Sequence, residues 1–146
     1  MKFGLGISMS RELNSDLVVD TSNNLEDFFN TKNYGIGIKH ISMGFICVSH
    51  DFEPFFKVKK PKYVKSKKSK GLDGLDYLLE NALLYDCKLD FDSYQNSDDL
   101  GRKKLIAQEV LNTTKEVFEK KKIKDFNEKD FIKDLESFFK EQGYLD

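Results

Sequence analysis

Leu84-Tyr85-Asp86-Cys87-Lys88-Leu89-Asp90-Phe91-Asp92 alternates along its whole length. In an extended chain Tyr85, Cys87, Leu89 and Phe91 fall on one side, and Asp86, Lys88, Asp90 and Asp92 on the other. Period 2 of this kind marks a strand with one face in a core and one in water. A sheet wetted on one face needs helices only on the other, which is the α+β arrangement.

The flanking sequence supplies those helices and further strands. Downstream, a helix is predicted from about Asp98 to Lys120, capped by Asn96 or Ser97, with Asp98 and Asp99 at the positive end of its dipole. Ile106, Ala107, Val110, Leu111, Val117 and Phe118 form its apolar stripe. A second helix starts at Asn127, with Asp130 at its third position and Phe126 placed to staple onto Phe131. Phe131, Leu135, Phe138 and Phe139 share its buried face, and Gly143 supplies a left-handed end. Upstream, residues 1–9 read as a first strand and 10–32 as helical overall through Leu13, Leu17, Leu25, Phe28 and Phe29, either as one long helix or as a helix starting near Asn24 after a break in the turn-forming Asp20–Asn24. Residues 34–49 read as a strand whose alternation changes phase near Gly37 and Gly44. Residues 55–65 read as another strand through Phe56-Lys57-Val58-Lys59, and Pro54 and Pro61 about it suit an edge position. After the turn Gly71–Gly74, the spacing of Leu75, Leu78, Leu79 and Ala82 fits two helical turns. The expectation is one domain over 1–146: α+β, a mainly antiparallel sheet of about four strands, helices on one face, and two C-terminal helices.

Composition agrees with a folded domain. The chain has 146 residues, 39% hydrophobic and 13% aromatic, including 13 Phe and 6 Tyr, enough apolar surface to offset ordering entropy. A net charge of -1 excludes a globally basic nucleic-acid binder. Met1–Met9 carries one Lys and no small-residue cleavage site, so it reads as strand and not as a signal peptide, and no membrane span is expected. Cytoplasmic localisation follows. Of the 24 basic residues only Arg11 and Arg102 are Arg, a Lys bias that accompanies AT-rich coding and points to a bacterial source.

Little here suggests catalysis. Two histidines, His40 and His50, and two cysteines, Cys47 and Cys87, give no metal-ligand spacing and no disulfide framework. Cys47 and Cys87 sit on apolar strand phases, as small buried hydrophobes do. Ser49-His50-Asp51 throws neighbouring side chains to opposite faces and is no triad. Gly4-Leu5-Gly6 and Gly35-Ile36-Gly37 lack both a third fingerprint Gly and a Walker-type Lys. No enzyme activity and no cofactor or metal is expected.

Charge is segregated. Residues 55–70 carry eight Lys and no acid, whereas 71–100 carry eight acids and one Lys. The Lys-rich segment 57–70, with Tyr63 interleaved, permits an alternative reading as a small nucleic-acid-binding module. The acidic block, Asp86, Asp90, Asp92, Asp98 and Asp99, offers a carboxylate surface to a basic partner. Mutual neutralisation of the two blocks across adjacent strands is the plainer possibility.

Three stretches in order carry a family resemblance: Tyr34-Gly35-Ile36-Gly37-Ile38-Lys39 entering a strand, the alternating Cys87–Asp92, and Asp98-Asp99-Leu100-Gly101-Arg102-Lys103-Lys104-Leu105 opening a helix, followed by Phe126, Phe131 and Leu135. Over about residues 25–143 the chain resembles immunity protein family 44 of bacterial polymorphic toxin systems. The resemblance implies a small cytoplasmic protein that binds and neutralises a cognate toxin domain in the producing cell, without catalysis. The expected partner is that toxin protein, with neither membrane nor nucleic acid, and Asp86, Asp90, Asp92, Asp98 and Asp99 are the candidate contact residues.

Overall fold

The computed structural model describes residues 1–13 and 16–146. Its elements in chain order are β1 (Lys2–Met9), α1 (Asp16–Asn30), β2 (His40–Cys47), a 3-10 turn (Glu53–Phe55), β3 (Lys62–Lys70), β4 (Asp76–Lys88), α2 (Phe91–Gln95), α3 (Asp99–Lys120) and α4 (Glu128–Glu141). The strands form one sheet in the order β1-β2-β4-β3. The α+β class, the four strands and the two C-terminal helices agree with the sequence. The pairing is mixed: β1 with β2 and β2 with β4 are parallel, and only β3 with β4 is antiparallel. The physical reason is the crossover α1, which returns the chain to lay β2 parallel to β1. β3 then takes the outer edge, so β4 enters beside β2 in the same direction.

The alternation of each strand selects the face the helices cover. Phe3, Ile41, Met43, Phe45, Leu83, Tyr85 and Cys87 are buried beneath α1, α3 and α4. An aromatic seam joins the layers: Phe29 stacks on Phe3 at 5.2 Å and meets Phe131 at 5.0 Å, and Phe118 meets Phe126 at 5.6 Å. In the core, Tyr85 and Thr114 hydroxyls bond at 3.0 Å, and Tyr144 bonds Thr21. The opposite face carries few side chains in its middle, because Gly4, Gly6, Ser42 and Gly44 occupy it.

Helix ends follow the expected chemistry. The Asn127 side chain accepts from Asp130 N at 3.1 Å and donates to the Asp130 carboxylate at 2.8 Å. Gly143 has φ +80°. Phe131, Leu135, Phe138 and Phe139 are all buried. α1 continues through Asp20–Asn24, with Thr21 and Ser22 buried on its core side. Asn14 and Ser15, part of the helical reading of 10–32, lie outside the described residues.

Four local expectations are corrected. Of the strand expected over 55–65, residues 55–61 are not strand; the edge strand begins at Lys62, once Pro61, which has no amide to donate, is passed, and runs on to Lys70. Leu75–Ala82 is not helical. The turn closed by Gly71 N to Leu75 O (2.9 Å), with Gly74 at φ +78°, folds this stretch back onto β3, and ladder pairing wins over helical spacing. β4 stops at Lys88 because Asp90 caps a new helix, so Phe91 and Asp92 are helical. The cap of α3 is Asp98 and not Asn96 or Ser97. Those two close α2: Asn96 N bonds Asp92 O at 3.0 Å, and the Ser97 hydroxyl donates to Ser93 O at 2.6 Å. Among the described residues no helix is long and apolar enough to cross a membrane.

Candidate partner-binding site

Four of the five acidic residues singled out in the sequence, Asp90, Asp92, Asp98 and Asp99, lie at α2 and the start of α3, and the five do not share one strand face. Asp86 alone of them lies in β4, opposite Gly44 of β2. One oxygen accepts from Lys59 N at 2.8 Å, and the other lies 2.5 Å from where a methyl on Gly44 would sit. Asp86 therefore clamps the irregular segment 56–61 across the open face of the sheet. The contact is to the backbone of Lys59 and not its ammonium group. None of the eight Lys of 57–70 forms a salt bridge among the described residues, although the β3–β4 register sets Lys70 opposite Asp76; Glu80 reaches Lys39 at 3.6 Å.

Asp90 is the N-cap of α2. Its carboxylate accepts from the amide and the hydroxyl of Ser93, at 2.9 and 2.8 Å, and these bonds hold it below the usual carboxylate range. Asp92 lies in the first turn and meets His50 Nε2 at 3.0 Å. Asp98 caps α3 by accepting from Gly101 N at 2.8 Å, and Asp99 follows in its first turn. Arg102 locks the two helices together: its guanidinium donates to the carbonyls of Tyr94 and Gln95, at 2.9 and 3.2 Å, and covers the Tyr94 ring. Asp90, Asp92, Asp98 and Asp99 are all exposed. Caps and first turns suit carboxylates on their own account, and each keeps oxygen surface free for a partner.

Sequence reading missed the other half of the site, the loop after β2. His50 is held between Asp92 and Glu53, and Glu53 also bonds Lys88 at 2.6 Å. Asp92 first and then Glu53 raise the His50 pKa, and Lys88 followed by His50 lowers that of Glu53. His50 thus belongs to an exposed ionic clasp, with neither Ser49 nor Asp51 in a triad arrangement. The signal missed was Asp90-x-x-Ser93, a cap that brings Asp92 around to face His50.

Cys47 and Cys87 are free and buried. Burial pushes their thiols up to about 11 and about 12, which leaves no thiolate for nucleophilic chemistry near neutrality. Among the described residues no group of three or more His, Cys, Asp or Glu is disposed to hold a metal. Gly35 and Gly37 are no phosphate loop: Gly37 N bonds Asp125 O at 2.9 Å, and both glycines press on the backbone between α3 and α4.

No curated protein and no solved structure matches the chain. The sequence model described as Immunity protein 44 matches residues 1–141, nearly the whole length. That match takes in all three stretches noted in the sequence and every element of the fold; the chain belongs to the Immunity protein 44 family.

Proposed function

We propose that this protein binds and neutralises a cognate toxin domain in the cytoplasm of the cell that makes it. Family membership carries the reading. A rigid scaffold and a complementary surface suffice for inhibition by occlusion, with no catalytic group. The exposed carboxylates of Asp90, Asp92, Asp98 and Asp99 around α2, with Asp86 at the adjoining sheet face, supply such a surface. A toxin that acts on nucleic acid needs a cationic cleft, which this surface complements and toward which it would steer association. Co-expression tests the reading. Cells expressing the toxin domain encoded beside this gene should survive when the chain is co-expressed, and death despite abundant folded chain would refute it.

A second reading rests on the Lys-rich segment. Its lysines are without ion-pair partners among the described residues and so are free to contact phosphates. A salt-sensitive gel shift of DNA or RNA at micromolar protein would favour that reading over toxin binding.

A further inference from the structure

The loop between β2 and β3 presents an unusual combination of fixed backbone and unburied aromatic rings. Its backbone is pinned along its length. Phe52 N and Glu53 N bond Ser49 O at 2.9 and 3.1 Å, Phe55 N bonds Phe52 O at 3.0 Å, and Phe56 N bonds Glu53 O at 3.0 Å. The Glu53–Lys88 and His50–Asp92 pairs tie it to the β4–α2 junction, and Asp86 holds Lys59 N. Yet Phe52, Phe55 and Phe56 are 53%, 79% and 38% exposed, and the 3-10 turn that ends at Phe55 buries no residue. Phenyl surface left in water on an ordered loop contributes nothing to the fold, because only apolar area removed from water stabilises it. They suit a surface that a partner desolvates, where aromatic anchors dominate affinity and a prefixed backbone limits the entropy lost on binding.

The surroundings say what kind of partner. On one side of the rings lies a groove of ≈ 620 Å³ between the loop and the glycine-floored sheet face, with Phe55 and Phe56 on its wall and Gly6 and Gly44 on its floor. That groove is also edged by Lys57 and Lys59. On the other side, residues 50–53 and 88–92 carry Asp51, Glu53, Asp90 and Asp92 with Lys88 and the clasped His50, so the rings stand between a basic flank and an acidic one. An apolar centre between an acidic and a basic flank fits a protein surface that carries an apolar hollow with charges of the opposite signs at its two edges, and not a uniformly charged polymer.

We infer that Phe52, Phe55 and Phe56 are the anchor of the toxin interface, seated in an apolar hollow on the toxin, with the acidic flank at α2 and the basic flank at Lys57 and Lys59 fixing its orientation. This rests on the neutralisation reading and adds to it the contact that sets affinity. The opposite end of the sheet, where the β3–β4 turn also exposes Leu72, is assigned no part in it.

The test uses the purified full chain and the purified toxin domain. Affinity and dissociation rate are measured for wild type, the double variant Phe52→Ser/Phe55→Ser, and the control Leu72→Ser. Melting temperature and circular dichroism report the fold. The expected result is an affinity loss of about thirtyfold or more in the double variant, chiefly through faster dissociation, with the fold intact and Leu72→Ser like wild type. Wild type and double variant binding equally well would overturn the anchor and leave the neutralisation reading standing. Absence of wild-type binding would overturn both. A wild-type dimer in sedimentation that the double variant abolishes, with toxin affinity unchanged, would assign the rings to a second copy of this chain and overturn the inference.

Discussion

Gly37 shows how a single missing side chain holds two parts of the fold together. A methyl there would lie 1.9 Å from the carbonyl oxygen of Lys124, and one on Gly35, at φ +119°, would lie 2.2 Å from that of Asp125. Both clashes are with backbone, so no rotamer change relieves them. Gly37→Ala should therefore destabilise the protein by about 1–3 kcal/mol in denaturant unfolding, and an unchanged midpoint would show that the α3–α4 loop is not packed there. His50 is a second case. Its folded pKa is raised, so the clasp stabilises fully below the ordinary value of 6.5 and fades as pH rises through the raised folded value. An NMR titration of the ring should give a midpoint above 6.5 that falls back in Asp92→Asn; a wild-type midpoint at or below 6.5 would contradict the clasp. Neither role could be read from sequence, because the deciding contacts, Gly37 with Asp125 and His50 with Asp92, join residues 42 or more positions apart. The acidic side chains were recognisable as a group, but their capping geometry depends on where β4 ends.

At the scale of elements, strong periodicity was legible and weak periodicity was overruled. α4 carries an apolar stripe, a reciprocal Asn127–Asp130 cap and a terminal Gly, all visible in the sequence and all present. Phe139→Ala and Phe138→Ala should each cost about 3–5 kcal/mol, since both rings are buried; a melting temperature within error of wild type would show that the helix is not docked. Leu75–Ala82 fits a helix locally, but the Gly71–Gly74 turn delivers it to β3, and long-range pairing decides. The parallel pairing was hidden for the same reason, since strand direction depends on which neighbour a strand finds. The sheet edges illustrate two ways to discourage further pairing. On β1 the outward amides of Phe3 and Leu5 bond the side chains of Asn30 (2.8 Å) and Glu26 (3.2 Å) from α1, whereas β3 relies on its lysines.

The whole molecule is a helix-backed sheet whose open face and α2 corner carry the acidic and aromatic surface. Asn substitution separates charge from structure here, because Asn keeps a side-chain oxygen as acceptor for the Lys59 amide and still serves as an N-cap. Above the His50 midpoint, where the clasp no longer contributes, Asp86→Asn, Asp90→Asn and Asp92→Asn together should leave the melting temperature nearly unchanged yet slow toxin association, most at low salt. An unchanged low-salt association rate in the folded triple variant would remove the carboxylates from the interface. The central claim, neutralisation by direct binding, is tested most directly by titrating the purified chain into a fixed amount of active cognate toxin domain and following the toxin's activity. The account predicts that activity falls linearly and vanishes near equimolar chain; full activity in the presence of a large excess of folded chain would contradict it.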